Sequence, residues 1–322
     1  MKFILFILFL SFQILAHEKE TKTKADSFAS GKLSDAKVHP WPFPLLSIGH
    51  AMQSYQDYGG SPYWHDGLDI RSNVDQAIYA SAGGKVVNLE NYVPGNPLYW
   101  EVAILDDEGF VWKYHHVDRK SISTEILEAY RSGGRVSQGT LIGNVVRWPI
   151  VTFGEVYHHL HLLVVGSDGR YINPFHLLDF LEDTKAPIIK RIGLVQNHRP
   201  IEGTTIKGPH ALFLEVSDLI LHDKFTLPPH KIKYRLDGSE QKTVWELTHL
   251  PSGKGDTEFI NDFYVQGTCG DYRCRKFYIN LNFSVTSPRQ TMLLTSGEHA
   301  VEVEVEDFVG NKSTEVFRWK VL

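Results

Sequence analysis

The chain has 322 residues and a formal net charge of −5, with 42% hydrophobic and 22% charged residues. This length favours two globular units, and the composition is that of a folded protein rather than a fibrous, low-complexity or disordered one. A net negative charge provides no electrostatic attraction to nucleic acid or to an anionic membrane, so neither is expected as a partner.

The first residues have the pattern of an export signal. Lys2 gives a positive start, residues 3–15 are almost wholly apolar, and Ala16 precedes a polar run. This pattern predicts a cleavable signal peptide over residues 1–16, because the apolar run is shorter than the roughly 20 residues that span a bilayer. We therefore expect an exported protein, periplasmic or extracellular, without a stable membrane span.

A polar and charged segment, residues 17–40, follows the apolar run. Its composition predicts an extended or loosely ordered lead-in. A second interpretation, in which this segment covers a functional groove as a propeptide, stays open.

Residues 41–182 are predicted to form a compact, mainly antiparallel β unit. Asp106 to Gly109 predict a hairpin turn, and residues 123–131 predict a helix that ends at Gly133 and Gly134. Short apolar segments between Gly, Asp and Asn residues predict strands at 77–80, 85–89, 101–105, 110–114 and 160–165.

A polar stretch ending at Pro187 indicates a linker before a second unit, residues 187–322. In residues 301–306 every second residue is apolar, which predicts a half-buried strand. An immunoglobulin-like β-sandwich is the fold that this strand-rich region favours. Further strands are predicted at 211–216, 232–236, 277–281 and 317–321.

The two cysteines, Cys269 and Cys274, are separated by four residues. In an exported protein such a pair predicts a disulfide that closes a local loop. Zinc at the cysteines is less favoured, because His299 is the only histidine that follows them.

Two short histidine motifs indicate metal chemistry. His65 and Asp69 stand four residues apart around Gly67, and His159 and His161 stand two apart. Residues two apart on a strand project from the same face, so His159 and His161 are expected to point together. Two imidazoles and one carboxylate leave a fourth zinc position open for water, as catalytic sites require.

Together these motifs resemble the lysostaphin/LytM-type zinc metallopeptidases that act on peptidoglycan. The resemblance covers residues 49–177. Its segments in this chain are His65-x-Gly67-x-Asp69, Ile78-Tyr79-Ala80, Gly84-Lys85-Val86-Val87, Tyr114-His115-His116-Val117, Val136 to Gly143, His159-Leu160-His161 and Asn173-Pro174.

The resemblance implies that His65, Asp69 and His161 bind one zinc ion per chain and that His116 and His159 are the catalytic pair. It implies a zinc endopeptidase that hydrolyses a peptide bond of the bacterial cell wall. His115 and His158 are interpreted as packed or solvated imidazoles, because alternation on a strand would turn each away from its neighbour. Asp66 is interpreted as part of a loop.

One segment departs from the family pattern. The glycine-rich loop that usually precedes the His-x-His motif is replaced here by residues 145–155, which include Trp148 and Phe153. These bulky rings either wall the substrate groove or obstruct it. Two other functions stay open: a noncatalytic relative that binds the wall or regulates another hydrolase, and a zinc protease that cleaves proteins. The second unit is either a structural spacer or a module that docks on the wall, the substrate or a protein partner.

Overall fold

The computed structural model describes residues 36–48, 55–57, 62–64, 66–149, 151–152, 155–197, 199–221, 227–248, 277–282 and 290–322. Residues 39–322 form one compact unit. The predicted signal peptide, most of the lead-in, His65, Phe153 and the predicted disulfide between Cys269 and Cys274 lie outside the described residues. Among the described residues no helix has the length and apolar character needed to cross a membrane.

The region before residue 182 is built mainly from strands. Helix α1 spans Thr124–Ser132, and 3₁₀ helices span Arg119–Ser121 and Pro174–His176. The strands are β1 (Ser47–Ile48), β2 (Tyr55–Asp57), β3 (Pro62–Trp64), β4 (Leu68–Arg71), β5 (Ala77–Tyr79), β6 (Gly84–Asn91), β7 (Trp100–Leu105), β8 (Val111–His115), β9 (Arg135–Val136), β10 (Leu141–Asn144), β11 (Val151–Thr152), β12 (Glu155–Val156), β13 (His159–Val165) and β14 (Tyr171–Ile172).

The main sheet of this region has the strand order β1-β4-β13-β8-β7-β6-β9, with β14 beside β13, and its pairings are antiparallel. The predictions of a mainly antiparallel β region, of the 106–109 hairpin and of the helix are confirmed. Ser123 caps α1 by accepting from the Ile126 backbone N–H, and Gly133 ends the helix with a left-handed φ of 67°.

Alternation of side chains separates a core face from a functional face of the main sheet. The core face carries large apolar side chains that are almost completely buried, including Ile70, Trp112 and Tyr114. Because successive side chains of a strand point to opposite faces, the neighbouring residues Asp69 and Lys113 lie on the other face. Burial of the core face therefore fixes the register that brings the polar residues together.

The region after residue 187 forms two sheets. Its strands are β15 (Ile188–Gln196), β16 (Arg199–Ile201), β17 (Thr205–Ile206), β18 (Ala211–Ser217), β19 (Lys231–Leu236), β20 (Lys242–Glu246), β21 (Phe277–Asn280), β22 (Gly297–Glu306) and β23 (Lys312–Val321). One sheet has the order β16-β15-β18-β21 and the other β17-β23-β22-β19-β20.

Apolar side chains from both of these sheets form one buried core. Leu194 and Leu214 come from the first sheet, and Ile232, Val303 and Trp319 from the second. This shared core makes the region a two-layer sandwich, as alternating strands predict. The five strands predicted here are present, and the immunoglobulin-like topology stays a prediction.

Candidate metal centre

A row of polar side chains crosses the functional face of the main sheet. Asp69 on β4 lies opposite His161 on β13, His161 lies opposite His115 on β8, and His115 lies opposite Glu101 on β7. Directly opposite residues of neighbouring strands project from the same face. The sheet register therefore places a carboxylate at each end of a pair of imidazoles.

Asp69 and His161 are in direct contact. His161 Nδ1 lies 2.8 Å from Asp69 Oδ1, and His161 Nε2 lies 3.3 Å from Asp66 Oδ1. Asp69 and His161 are both buried. Two of the three predicted zinc ligands are thus adjacent. Asp66, which the sequence interpretation assigned to a loop without a role, contacts the same imidazole.

The two carboxylates favour positive charge at His161. Burial by itself would lower the pKa of His161, but the hydrogen bonds and charges of Asp66 and Asp69 outweigh that effect and raise the pKa to about 9. The same two carboxylates that favour a proton on His161 would favour a metal cation bound to it. Because metal ligands bind in the unprotonated form, a metal ion would compete with this proton.

His116 reaches the site through an unusual backbone conformation. It follows the last residue of β8 and has a positive φ of 65°, which few residues other than glycine adopt. Its Nδ1–H donates to the Leu98 carbonyl at 2.8 Å, so the neutral ring carries an unprotonated Nε2. Burial first, and then the neighbouring His159 and His161, hold the pKa of His116 well below 6.5.

His159 lies beside His116. Their ring centroids are 4.8 Å apart, and His159 Nε2 is 3.8 Å from Asp69 Oδ2. The Nδ1–H of His159 donates to the Tyr157 carbonyl at 2.8 Å. The predicted catalytic pair and the predicted ligands Asp69 and His161 are therefore brought together at one buried place.

Trp148 forms a wall of this site. Its ring centroid lies 4.5 Å from that of His116 and 4.9 Å from that of His159. The Trp148 backbone N–H donates to His158 Nδ1 at 3.0 Å. His158 thus has a packing role, as predicted, because it holds the segment that carries Trp148.

His115 is a packed imidazole, as interpreted, but the expectation that it faces away from the site is wrong. Alternation was expected to turn His115 away from the site, but its ring centroid is 5.3 Å from that of His161. The physical reason is the positive φ at His116, which interrupts the alternation and lets both neighbours approach the site. His115 Nε2–H donates to Glu101 Oε2 at 2.6 Å, and Lys113 Nζ lies 3.1 Å from the same oxygen.

Gly67 is required by close packing against His161. A Cβ at position 67 would lie 2.7 Å from His161 Cε1, 2.7 Å from the Leu162 carbonyl oxygen and 2.8 Å from His161 Nε2. These distances are well inside van der Waals contact. The glycine between His65 and Asp69 therefore allows the imidazole of His161 to keep its place.

Replacing Gly67 with alanine is expected to weaken zinc binding on the order of tenfold or more, because the added methyl group displaces His161. Zinc affinity is measured by competition with a chromogenic chelator. Gly193→Ala is the matched control, since its Cβ would meet the Phe213 ring at 2.6 Å in the sandwich. The control should lower Tm without changing zinc affinity; equal affinities in all three proteins would contradict this role of Gly67.

Glu101 is expected to make folding stability depend on acid pH. Burial by itself would raise its pKa, but His115, Lys113 and Asn88 lower it from 4.5 to about 2. A carboxyl with a depressed folded-state pKa stabilises the fold above pH 4.5 and loses that contribution as pH falls from 4.5 towards 2. The contribution is on the order of 3 kcal/mol.

The test is urea unfolding of the wild type and Glu101→Gln between pH 2 and 7. The free energy of unfolding of the wild type should fall more steeply below pH 4.5 than that of the variant. Parallel pH profiles would show that Glu101 does not carry this dependence.

The β-sheet presents imidazoles and carboxylates in one row, which are donor types that zinc sites use. Residues 63–174 match the family described as Peptidase family M23, so this segment is an M23 peptidase domain. No curated protein matches the chain significantly.

Among solved structures, the chain is similar to a chain of the SpoIIQ-SpoIIIAH pore forming complex, at 18% identity and a TM-score of 0.33, covering 44% of this chain and 93% of that one. It is similar to a zinc containing peptidase from Vibrio cholerae, at 17% identity and a TM-score of 0.32, covering 43% and 39%. The catalytic domain of lysostaphin from Staphylococcus simulans is 20% identical with a TM-score of 0.26, covering 44% and 91%.

The described donors fit a zinc ion. A histidine nitrogen and an aspartate oxygen are typical zinc ligands, and here they face each other in a buried place that favours positive charge. Asp66 and His115 are the contacts that sequence reasoning missed. The contact of His115 follows from its position opposite His161, which can be predicted only when the pairing of β8 with β13 is known.

Proposed function

We propose that this chain is a zinc-dependent endopeptidase that hydrolyses a peptide bond of bacterial peptidoglycan. In this proposal Asp69 and His161, together with His65, hold one zinc ion per chain. The observation that carries the proposal is that the Asp69–His161 pair adjoins two further imidazoles, His116 and His159, whose Nδ1 atoms are both held by backbone carbonyls.

The arrangement supplies the groups that peptide hydrolysis needs. A bound zinc ion would lower the pKa of a water ligand and polarise the scissile carbonyl. His116 and His159 have the tautomer in which Nε2 can accept a proton, because Nδ1–H is donated to Leu98 and Tyr157. An Nε2 atom of this kind can accept the proton of the attacking water and deliver it to the leaving amine.

His116 and His159 have different surroundings, and this difference suggests different roles. His116 lies among the other imidazoles, which keeps it neutral, whereas His159 faces the Asp69 carboxylate at 3.8 Å. A neutral imidazole suits the acceptance of a proton, and an imidazole near a carboxylate is stabilised once it becomes positively charged. We therefore assign proton acceptance to His116 and stabilisation of charge during the reaction to His159.

The position of Trp148 supports a second candidate, a noncatalytic relative that binds the wall or regulates another hydrolase. Its ring packs against both proposed catalytic imidazoles, which narrows access to them. The two candidates differ in turnover. Both allow bound zinc, and only the first predicts new peptide termini.

The remaining assignments belong to the same proposal. Residues 41–182 form the catalytic domain and residues 187–322 an immunoglobulin-like domain that docks on the wall or on a protein partner. The protein is exported, in the periplasm or outside the cell, where peptidoglycan is accessible.

The substrate class is tested by incubating the zinc-loaded protein with purified peptidoglycan and, separately, with casein. New amino termini are quantified in each reaction with an amine-reactive reagent. Release from peptidoglycan alone supports the proposal. Release from casein alone would indicate a protease that acts on proteins, and zinc binding without release from either would favour the noncatalytic relative.

A further inference from the structure

Three carboxylates meet at one end of the sandwich. Asp183 precedes β15, Asp218 follows β18, and Asp307 follows β22. Because β15 and β18 are antiparallel, with Ile188 opposite Ser217, the start of one strand adjoins the end of the other. The three side chains offer oxygen atoms that all lie within 4.8 Å of one another.

Asp218 is the buried centre of this aspartate cluster. Only 2% of Asp218 is exposed, and its Oδ1 has no hydrogen-bond partner among the described residues. Asp183 Oδ2 is also buried and has no partner within that part of the chain. A buried carboxylate oxygen without a donor is costly, so a proton, a water molecule or a cation is needed to satisfy each of these oxygens.

The side chain of Asp307 is held in position by its own turn. Its Oδ1 accepts from the backbone N–H groups of residues 309–311 at 2.7–2.9 Å. Its Oδ2 accepts from Asn311 Nδ2 at 2.7 Å, and the same amide donates to the Asp183 carbonyl at 3.0 Å. The turn therefore positions Asp307 relative to Asp183 before any ligand binds.

We propose that Asp183, Asp218 and Asp307 bind a calcium ion. The cluster offers oxygen ligands only, which suit hard cations rather than zinc. Magnesium is usually held by one or two carboxylates with several retained waters, whereas calcium accepts more carboxylates in a less regular arrangement. Lys185 lies close enough to influence Asp218. One divalent cation would neutralise the negative charge that remains when the positive charge of Lys185 is set against three ionised carboxylates.

The mutual repulsion of the carboxylates supports this assignment. Burial, followed by the charges of Asp183 and Asp307, raises the pKa of Asp218 from 3.8 to about 8. Three ionised carboxylates in one buried place are therefore unfavourable without a counter-charge. A bound calcium ion would relieve this repulsion and complete the ligand shells of the unpaired oxygens.

The site would brace the junction between the sandwich and the main-sheet region. Phe308, next to Asp307, packs against Phe175 and His176, with ring centroids 5.1 and 4.8 Å apart. Ser313 Oγ donates to the Pro187 carbonyl at 2.6 Å. Calcium at the aspartate cluster would fix the linker segment and the β22–β23 turn in one arrangement, so calcium binding stabilises the protein independently of hydrolysis.

The experiment is calorimetric titration of the zinc-loaded, calcium-depleted full chain with calcium chloride, and separately with magnesium chloride, together with thermal unfolding at each concentration. We expect one calcium per chain and a Tm that rises with each further tenfold increase in calcium above Kd. Asp218→Asn and Asp183→Asn should each weaken calcium binding by about tenfold or more. Asp179→Asn, an exposed change of equal charge, should leave it unaltered.

Asp183→Asn keeps the test valid if the more buried Asp218→Asn variant does not fold. It is expected to fold because asparagine retains the Oδ1 that accepts from the Lys185 N–H. No calcium uptake by the wild type would overturn the proposal. Unchanged calcium affinity in a folded Asp218→Asn or Asp183→Asn protein would also overturn it. Equal affinities for magnesium and calcium would overturn the choice of ion. None of these readouts depends on peptidase activity.

Discussion

Replacing His161 with alanine is expected to remove zinc and peptide hydrolysis together. His161 is buried beside Asp69 and Asp66, and these carboxylates favour positive charge there. Without its imidazole, zinc has lost one of its three proposed ligands. We expect zinc content to fall to roughly a tenth or less and the hydrolysis rate by on the order of 10³-fold.

Zinc content is measured by elemental analysis after dialysis, and hydrolysis by the release of new amino termini. The control is His299→Ala, which removes a histidine that pairs with Asp237 in the sandwich. The control should retain full zinc and full activity. A folded His161→Ala protein with stoichiometric zinc would exclude His161 as a ligand.

Replacing His116 or His159 with alanine is expected to leave zinc in place and to lower kcat by about 10²–10⁴-fold, the usual contribution of a general acid or base. Each residue lies in the site but is anchored through Nδ1 to a backbone carbonyl. Loss of either imidazole therefore removes a group that acts in the reaction without removing a proposed ligand.

The pH profile distinguishes proton transfer from a packing role. Because the pKa of His116 is held well below 6.5, His116 stays unprotonated at neutral pH and the acid limb of kcat is expected below pH 6.5. This limb should change shape in His116→Ala. Trp148→Phe serves as the control, because it retains an aromatic wall and should retain the acid limb. Wild-type turnover in either histidine variant would refute the assignment of that residue.

The sequence predicted the strands well because burial enforces alternation. Residues 301–306 alternate strictly, and they lie within β22 at the centre of the second sheet. Ser123 and Gly133 marked the ends of α1 because their side-chain and backbone properties suit helix caps. These features depend on local sequence, so no knowledge of the fold was needed.

The contacts of the site depended on pairing between distant strands. The His-x-His spacing correctly predicted that His159 and His161 lie together, since both are on β13. The position of His115 could not be predicted, because it depends on the register with His161 and on the positive φ at His116. The aspartate cluster likewise joins residues 183, 218 and 307, which no local pattern connects.

The most direct test of the central claim is digestion of purified peptidoglycan by the zinc-loaded protein, with the zinc-free protein and the His159→Ala variant in parallel. Released fragments are identified by mass spectrometry. The proposal predicts zinc-dependent conversion of large wall fragments into products that differ by the cleavage of one peptide bond, and little conversion by His159→Ala. Equal fragment patterns with and without zinc, in protein shown to be folded and to bind zinc, would contradict it.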